Sequence, residues 1–156
     1  TDLPSSYFKI HDVIQNTFDA HETIFKQKNI EIQLNIEDDL SIWGNEVFFQ
    51  DIITNLISNS IKALEGNFKK AINCSTSSTA KELKIIFADN GIGVPDKVRD
   101  KMFDMYTTTT QEQGGAGMGL FIVKTNIETF GGTVELTESR FFPNGATFCI
   151  TIPFKK

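Results

Sequence analysis

The spacing of apolar and polar positions changes several times along the chain, and each change predicts a new element. From residue 7 to residue 27 the apolar positions follow a mostly helical spacing, which predicts a helix. Residues 30–36 instead alternate between aliphatic and polar side chains, a pattern typical of a half-buried strand. A second, longer helix is expected over about 46–65, closed by Gly66.

The rest of the chain predicts strand pairs separated by helices. We expect strands over about 69–76, 82–88, 133–139 and 145–152, a short helix near 96–103 and a longer one over about 120–130. Neighbouring strands pair and the helices group between them. The predicted fold class is therefore α+β: a two-layer sandwich in which a mixed, largely antiparallel sheet carries about three helices on one face. The length of 156 residues predicts a single domain over 1–156.

One long segment carries little apolar content. Residues 104–119 are rich in glycine and contain four consecutive threonines at 107–110. Segments of this length without regular structure are uncommon in compact domains and are usually functional. We expect a mobile lid here, and an ordinary surface loop is the alternative.

Composition and charge exclude several functional classes. With 40% hydrophobic and 22% charged residues, the chain is neither a disordered tail nor a membrane protein, and we expect no direct membrane contact. The net charge of −5 argues against a nucleic-acid partner, because such proteins need a positive surface. Cys74 and Cys149 fit no metal-ligand spacing. We expect Cys149 to be buried and the protein to be cytoplasmic.

The first candidate site lies on the predicted long helix. At about 100° per residue, Asn55, Asn59 and Lys62 project from one narrow stripe. Apolar residues mark the opposite side as the core face: Phe49, Ile53, Leu56, Ile57 and Leu64. Amide oxygens suit Mg²⁺ that arrives with phosphates, and a lysine supplies charge to phosphate. A merely solvated polar face explains the stripe about as well when it is taken alone.

Two glycine-containing segments complete the candidate chemistry. Asp89 ends an apolar strand and begins the segment 89–95, where it can accept a hydrogen bond from an exocyclic amine, while glycines let the backbone approach a flat ring. Taken alone, an Asn-Gly turn is the simpler interpretation. The run 114–120 opens a helix, where successive N–H groups can face phosphate, although a flexible helix entry is the alternative.

The order and spacing of these segments closely resemble the N, G1, F and G2 boxes of histidine kinase catalytic domains. Those domains belong to the wider ATP-binding fold shared with gyrase, Hsp90 and MutL. The matching segments are residues 55–64, 89–95, 102–109 and 115–120, and the resemblance covers about residues 5–154. It implies a protein-histidine kinase domain that uses ATP and Mg²⁺.

The resemblance also implies a role for each matching residue. Asn59 would ligate Mg²⁺, Asn55 would line the phosphates, and Lys62 would contact them. Asp89 would accept a hydrogen bond from the adenine amino group. The remaining implied ligand contacts are a wall beside the base (Gly91, Gly93), a lid anchor (Phe103), the lid glycines and the following helix start (Gly115, Gly117, Gly119, Leu120), and a water-mediated contact to adenine (Thr147).

Two departures from the family pattern affect the expected chemistry. Hydrolysing relatives carry a glutamate at the position of Asn55, and an amide is no general base. This favours phosphoryl transfer to a protein side chain over hydrolysis. The family lid often ends in a lysine where this chain has Thr110, so one phosphate contact is supplied elsewhere or is missing.

The expected partners lie outside this chain. Neither His11 nor His21 has the family's acceptor context, since no proline follows, and both are expected to be structural. The acceptor histidine is implied to sit on a separate dimerisation domain, from which the phosphoryl group passes to the receiver domain of a response regulator. Two alternatives remain: a serine kinase of the anti-sigma-factor type and a degenerate nucleotide-dependent interaction module.

Overall fold

The computed structural model describes residues 4–104, 119–138 and 141–154, which form two sheets and a layer of helices. In chain order the described elements are β1 (Ser6–Lys9), α1 (Ile10–Ala20), α2 (Glu22–Gln27), β2 (Ile30–Asn35), β3 (Ser41–Gly44), α3 (Glu46–Ala63), β4 (Lys70–Ser78), β5 (Glu82–Asp89), α4 (Asp96–Arg99), α5 (Gly119–Thr129), β6 (Thr133–Thr137) and β7 (Thr147–Pro153).

The main sheet has five strands in the order β2-β4-β5-β7-β6. β2 runs parallel to β4, and every other neighbouring pair is antiparallel. β1 and β3 form a separate two-stranded sheet. The predicted fold class, a mixed and largely antiparallel sheet with helices, is confirmed.

The hydrophobic core lies between the main sheet and its helices. The predicted core face of α3 is confirmed, since all five of its residues are fully buried: Phe49, Ile53, Leu56, Ile57 and Leu64. On β5 and β7 the buried positions alternate, and Phe87 and Phe148 pair across the two strands within the same core. The side chains of β2 that point away from this core are polar and exposed. This periodicity places β5 and α3 in direct contact through their buried faces.

The predicted helix over residues 7–27 is wrong at its start and in its middle. Residues 6–9 form β1, in which Tyr7 pairs with Trp43 of β3, and their rings meet edge to face with centroids 5.0 Å apart. The first helix ends at Ala20 and is capped by His21, whose backbone N–H donates to the carbonyl of Phe18; a second helix follows. The cross-strand pairing joins distant residues, so local periodicity did not indicate it.

Several smaller predictions also change. The short helix spans Asp96–Arg99 only. Cys149 is half-buried rather than buried, because it lies on the sheet face that points away from the core, while Cys74 is fully buried. Most of the predicted lid, residues 105–118, lies outside the described residues. No helix within the described ranges has both the length and the apolar character needed to cross a membrane.

The two histidines each have polar neighbours within the described part of the chain. His11 lies on α1 with Nδ1 3.3 Å from Oδ1 of Asp12 and Nε2 3.5 Å from Oδ1 of Asp38. Nδ1 of His21 lies 2.8 Å from the carbonyl oxygen of Thr17 at the end of the same helix. Both imidazoles thus have polar partners within the fold, and the structural role of the two residues stays a prediction.

Candidate functional site

Asp89 is a fully buried carboxyl group at the end of β5. The alternation that buries Leu83, Ile85 and Phe87 also turns its side chain inward. Its Oδ2 accepts a hydrogen bond from Oγ of Ser60 at 2.8 Å, and its Oδ1 accepts one from the backbone N–H of Gly91 at 2.9 Å. Burial raises the pKa of Asp89, and these hydrogen bonds oppose that rise. A partly satisfied carboxylate here favours a further donor from a ligand.

Ser60 is a site residue that the sequence did not reveal. It lies on the buried side of α3 with no exposed surface, one position after Asn59. Its partner Asp89 is 29 positions away in sequence, so only the packing of α3 on β5 brings the two together. The sequence signal that could have indicated Ser60 is a hydroxyl among the apolar core positions of α3.

The predicted stripe on α3 faces the beginning of α5. Asn55 is half-buried, and its Nδ2 donates to the carbonyl of Asp51 at 2.7 Å. This bond leaves Oδ1 directed away from the helix backbone, and Oδ1 lies 3.5 Å from the position that a Cβ on Gly119 would take. Asn59 is half-buried and Lys62 exposed on the same face. The structure therefore brings Asn55, at one end of the stripe, next to Gly119, in the last predicted motif.

Two glycines next to Asp89, Gly91 and Gly145, are placed where larger residues do not fit. A Cβ on Gly91 would collide with the carbonyl oxygen of Ala63, at the end of α3. Ile92 strengthens this contact by donating its N–H to the same carbonyl at 3.1 Å. Gly145, with φ +109°, packs against the carbonyl of Asp89, where a Cβ would also collide. The loop that begins at Asp89 is thus held closely against its neighbours on two sides.

The other predicted residues are distributed unevenly around Asp89. Gly93 lies against Gly145, and Phe103 is half-buried with its ring 6.1 Å from that of Phe148, edge to face. Leu120 is half-buried in the first turn of α5. Gly115 and Gly117 lie outside the described residues.

Thr147 is not brought together with Asp89. It pairs with Ala88, and side chains alternate along a strand, so its side chain and that of Asp89 point to opposite faces of the sheet. Ala146 is instead the residue beside Asp89, whose N–H donates to the Ala146 carbonyl at 2.9 Å.

The donor set fits a cation that arrives with its own ligands. No group of three or more histidine, cysteine, aspartate or glutamate side chains stands together as a metal site among the described residues. The amide oxygens of Asn55 and Asn59 are neutral oxygen donors on one helix face. Mg²⁺ commonly takes only one or two protein ligands and completes its shell with water and phosphate oxygens. The stripe is thus compatible with Mg²⁺ as part of a nucleotide complex.

The family model described as histidine kinase-, DNA gyrase B- and HSP90-like ATPase matches residues 44–156. The chain belongs to this family. It is 29% identical to the autoinducer 2 sensor kinase/phosphatase LuxQ of Vibrio harveyi over 161 residues, which cover 95% of this chain and 18% of LuxQ. The chain therefore spans about one fifth of the length of that relative.

Solved structures show the same fold. The catalytic domain of histidine kinase ThkA superposes with a TM-score of 0.85 at 22% identity, over 97% of this chain and 96% of that domain. ThkA in complex with the response regulator protein TrrA gives a TM-score of 0.80 at 20% identity, over 97% of this chain and 42% of ThkA. Full-length ShkA in complex with AMPPNP gives a TM-score of 0.82 at 24% identity, over 100% of this chain and 32% of ShkA.

Proposed function

We propose that this chain binds Mg²⁺–ATP between α3 and the start of α5, as the catalytic domain of a sensor histidine kinase. The observation that carries the proposal is the buried Asp89, held by Ser60 and Gly91 beside the polar stripe of α3. The complex of ShkA with AMPPNP, on the same fold, supports the choice of ligand.

The base lies against the loop after β5. Ionised Asp89 can accept hydrogen bonds but cannot donate one, so it selects an exocyclic amine such as that of adenine. The absence of a side chain on Gly91 lets this loop pack closely against the end of α3. Glycine backbone can also approach a flat ring closely. Burial makes this contact strong, because an unpaired carboxylate is costly in a site without water.

The phosphates lie along the stripe of α3. Lys62 offers its charge from the exposed end of the stripe, while Asn55 and Asn59 offer amide oxygens. The N-terminus of α5 at Gly119 adds backbone N–H groups close to Asn55. When bound, Mg²⁺ would neutralise charge that develops on the transferring phosphoryl group.

The chain contributes positioning rather than covalent chemistry. Asn55 holds the place where a hydrolysing site needs a general base, and its amide cannot accept a proton. Attack on the γ-phosphorus then comes from a histidine nitrogen of the dimerisation domain, and ADP leaves with the electrons of the cleaved P–O bond. In-line alignment is what the site has to provide.

The partners follow from the same assignment. His11 and His21 are engaged within the fold, so the acceptor histidine belongs to a separate domain of the parent kinase. The ThkA–TrrA complex supports a response regulator as the next acceptor. We place the reaction in the cytoplasm, where ATP is available, with no role for nucleic acid or direct membrane contact by this domain.

Calorimetric titration with a non-hydrolysable ATP analogue tests the proposal. We expect binding that strengthens with Mg²⁺ in the wild type and loses that gain in Asn59→Ala. The matched control is Asn16→Ala, which removes an exposed asparagine of α1 and leaves the Mg²⁺ effect intact.

Mixing the chain with a histidine-bearing dimerisation domain and ATP then tests transfer. Phosphohistidine formation is the expected result. Tight nucleotide binding without any transfer to that domain would rule out the kinase assignment and favour a nucleotide-dependent interaction module.

A further inference from the structure

Asn90, the residue between Asp89 and Gly91, is hydrogen-bonded through all of its polar groups. Its N–H donates to the carbonyl of Ala71 at 3.3 Å, and its Oδ1 accepts from the N–H of Ala71 at 2.8 Å. Its Nδ2 donates to the carbonyl of Lys69 at 3.1 Å, and its main-chain oxygen accepts from Nδ2 of Asn67 at 2.6 Å.

The two contacts with Ala71 show how the chain leaves the sheet. The β4–β5 register ends at the pair Ile72 and Asp89, so Asn90 is the next residue to face Ala71. In an antiparallel pair, facing residues of the hydrogen-bonded type exchange both backbone bonds. Here the side-chain oxygen of Asn90 replaces its main-chain oxygen in that exchange, a substitution that asparagine makes readily.

This replacement frees the main-chain carbonyl of Asn90 from the sheet. The backbone turns away immediately, so that the N–H of Gly91 can point back at Oδ1 of Asp89. The freed carbonyl is then held by Asn67, which lies in the segment that joins α3 to β4. A hydrogen bond between residues 23 positions apart thus fixes the peptide unit that Asn90 and Gly91 share, which carries the N–H donor of Gly91.

We propose that Asn67 is a positioning residue for base selection, and the proposal rests on the nucleotide-binding function above. By holding the Asn90 carbonyl, Asn67 keeps the N–H of Gly91 on Oδ1 of Asp89 and so fixes the direction of the carboxylate. A fixed acceptor favours a base with an amino group and rejects one with a carbonyl oxygen at the same position. Asn67 itself is not required to touch the ligand.

The test compares affinities for ATP and inosine triphosphate, which carries an oxygen in place of the adenine amino group. The variants are Asn67→Ala and Asn67→Asp, of which the second keeps the side-chain shape but has no N–H to donate. We expect ATP to bind about fivefold to tenfold more weakly in both variants, because the hydrogen bond that aligns Gly91 with Asp89 is lost. Inosine triphosphate should bind with unchanged affinity, so the ratio of the two dissociation constants falls.

The ratio of the dissociation constants for ATP and inosine triphosphate distinguishes a positioning role of Asn67 from a general loss of stability. Asn16→Ala is the matched control and should retain the wild-type ratio, and urea unfolding measures the stability of every variant. If both nucleotides weaken equally, or if the ratio stays at the wild-type value, the positioning role is overturned. If the wild type and both variants prefer ATP over inosine triphosphate to the same extent, this inference alone is overturned. If the wild type binds neither nucleotide, the proposed function is overturned.

Discussion

At the scale of single residues, Asp89 combines two opposing demands. Its side chain is buried, which disfavours the charged form, yet selection of an amine requires an ionised acceptor. Ser60 and Gly91 supply two donors that stabilise the ionised form. The residue is therefore one at which function is expected to reduce the stability of the fold.

Replacing Asp89 should expose this conflict in the pH dependence of folding. Burial raises the pKa of Asp89 from its ordinary 3.8. The folded chain then holds the proton more tightly than the unfolded chain, so stability is lost as the pH rises from 3.8 through the raised folded value. We expect Asp89→Asn to be more stable than the wild type at neutral pH, by on the order of 1 kcal/mol, and to lose ATP binding.

Urea unfolding of both proteins between pH 3 and pH 8 measures this difference. The advantage of the variant should shrink as the pH falls. Asp39→Asn, which removes an exposed carboxylate, is the control and should show no such trend. A constant difference at every pH would show that ionisation of Asp89 has no influence on stability.

Ser60→Ala should weaken ATP binding about fivefold to tenfold by removing one of the two donors. The lost hydrogen bond lowers the pKa of Asp89 in the wild type, so that pKa should rise further in the variant. The decline of ATP affinity on acidification should then begin at higher pH, which titration calorimetry at several pH values detects. Ser58→Ala removes an exposed hydroxyl from the same helix and should match the wild type.

At the scale of elements, the sequence predicted features that follow from local periodicity, such as the buried face of a helix. The apolar spacing of α3 predicted the core face of that helix, and with it the side on which Asn55 and Asn59 lie, because a helix converts sequence spacing directly into direction. β1 and β3 were missed because Tyr7 and Trp43 pair over a long sequence distance. Ser60 was missed for the same reason, since its role depends on a contact between elements.

Gly145 should be intolerant of any side chain, because its φ of +109° and its contact with the Asp89 carbonyl both require glycine. We expect Gly145→Ala to cost more than about 2 kcal/mol of unfolding free energy and to weaken ATP binding by displacing the end of β5.

Gly66→Ala is the matched control, since Gly66 also has a positive φ, +82°, but faces open space. It should cost only about 1 kcal/mol and leave ATP binding unchanged. Equal effects of the two substitutions on ATP affinity would show that the contact between Gly145 and Asp89 does not matter for the site.

At the scale of the whole molecule, the candidate site joins elements from distant parts of the chain. α3, β5 and α5 each contribute, and α3 packs against both of the others. A ligand that contacts all three stabilises the folded state but not the unfolded chain. Nucleotide binding should therefore be visible as global stabilisation rather than as a local change.

Scanning calorimetry measures this stabilisation directly. At 100 times the dissociation constant, Mg²⁺–ATP should add about 2.7 kcal/mol to the unfolding free energy. For a domain of this length the midpoint should rise by roughly 5–10 °C. Asp89→Asn should show no rise, and a rise of equal size in that variant would place the nucleotide elsewhere.

The parallel pairing of β2 with β4 has a consequence for the order of assembly. β4 and β5 are joined by residues 79–81 and can form a hairpin early. The pairing of Ile30 with Lys70, in contrast, closes a loop that contains β3 and all of α3. Closing so large a loop is entropically expensive before other contacts exist. We therefore expect β2 to join the sheet late during folding, after the strand that carries Asp89 already has a neighbour.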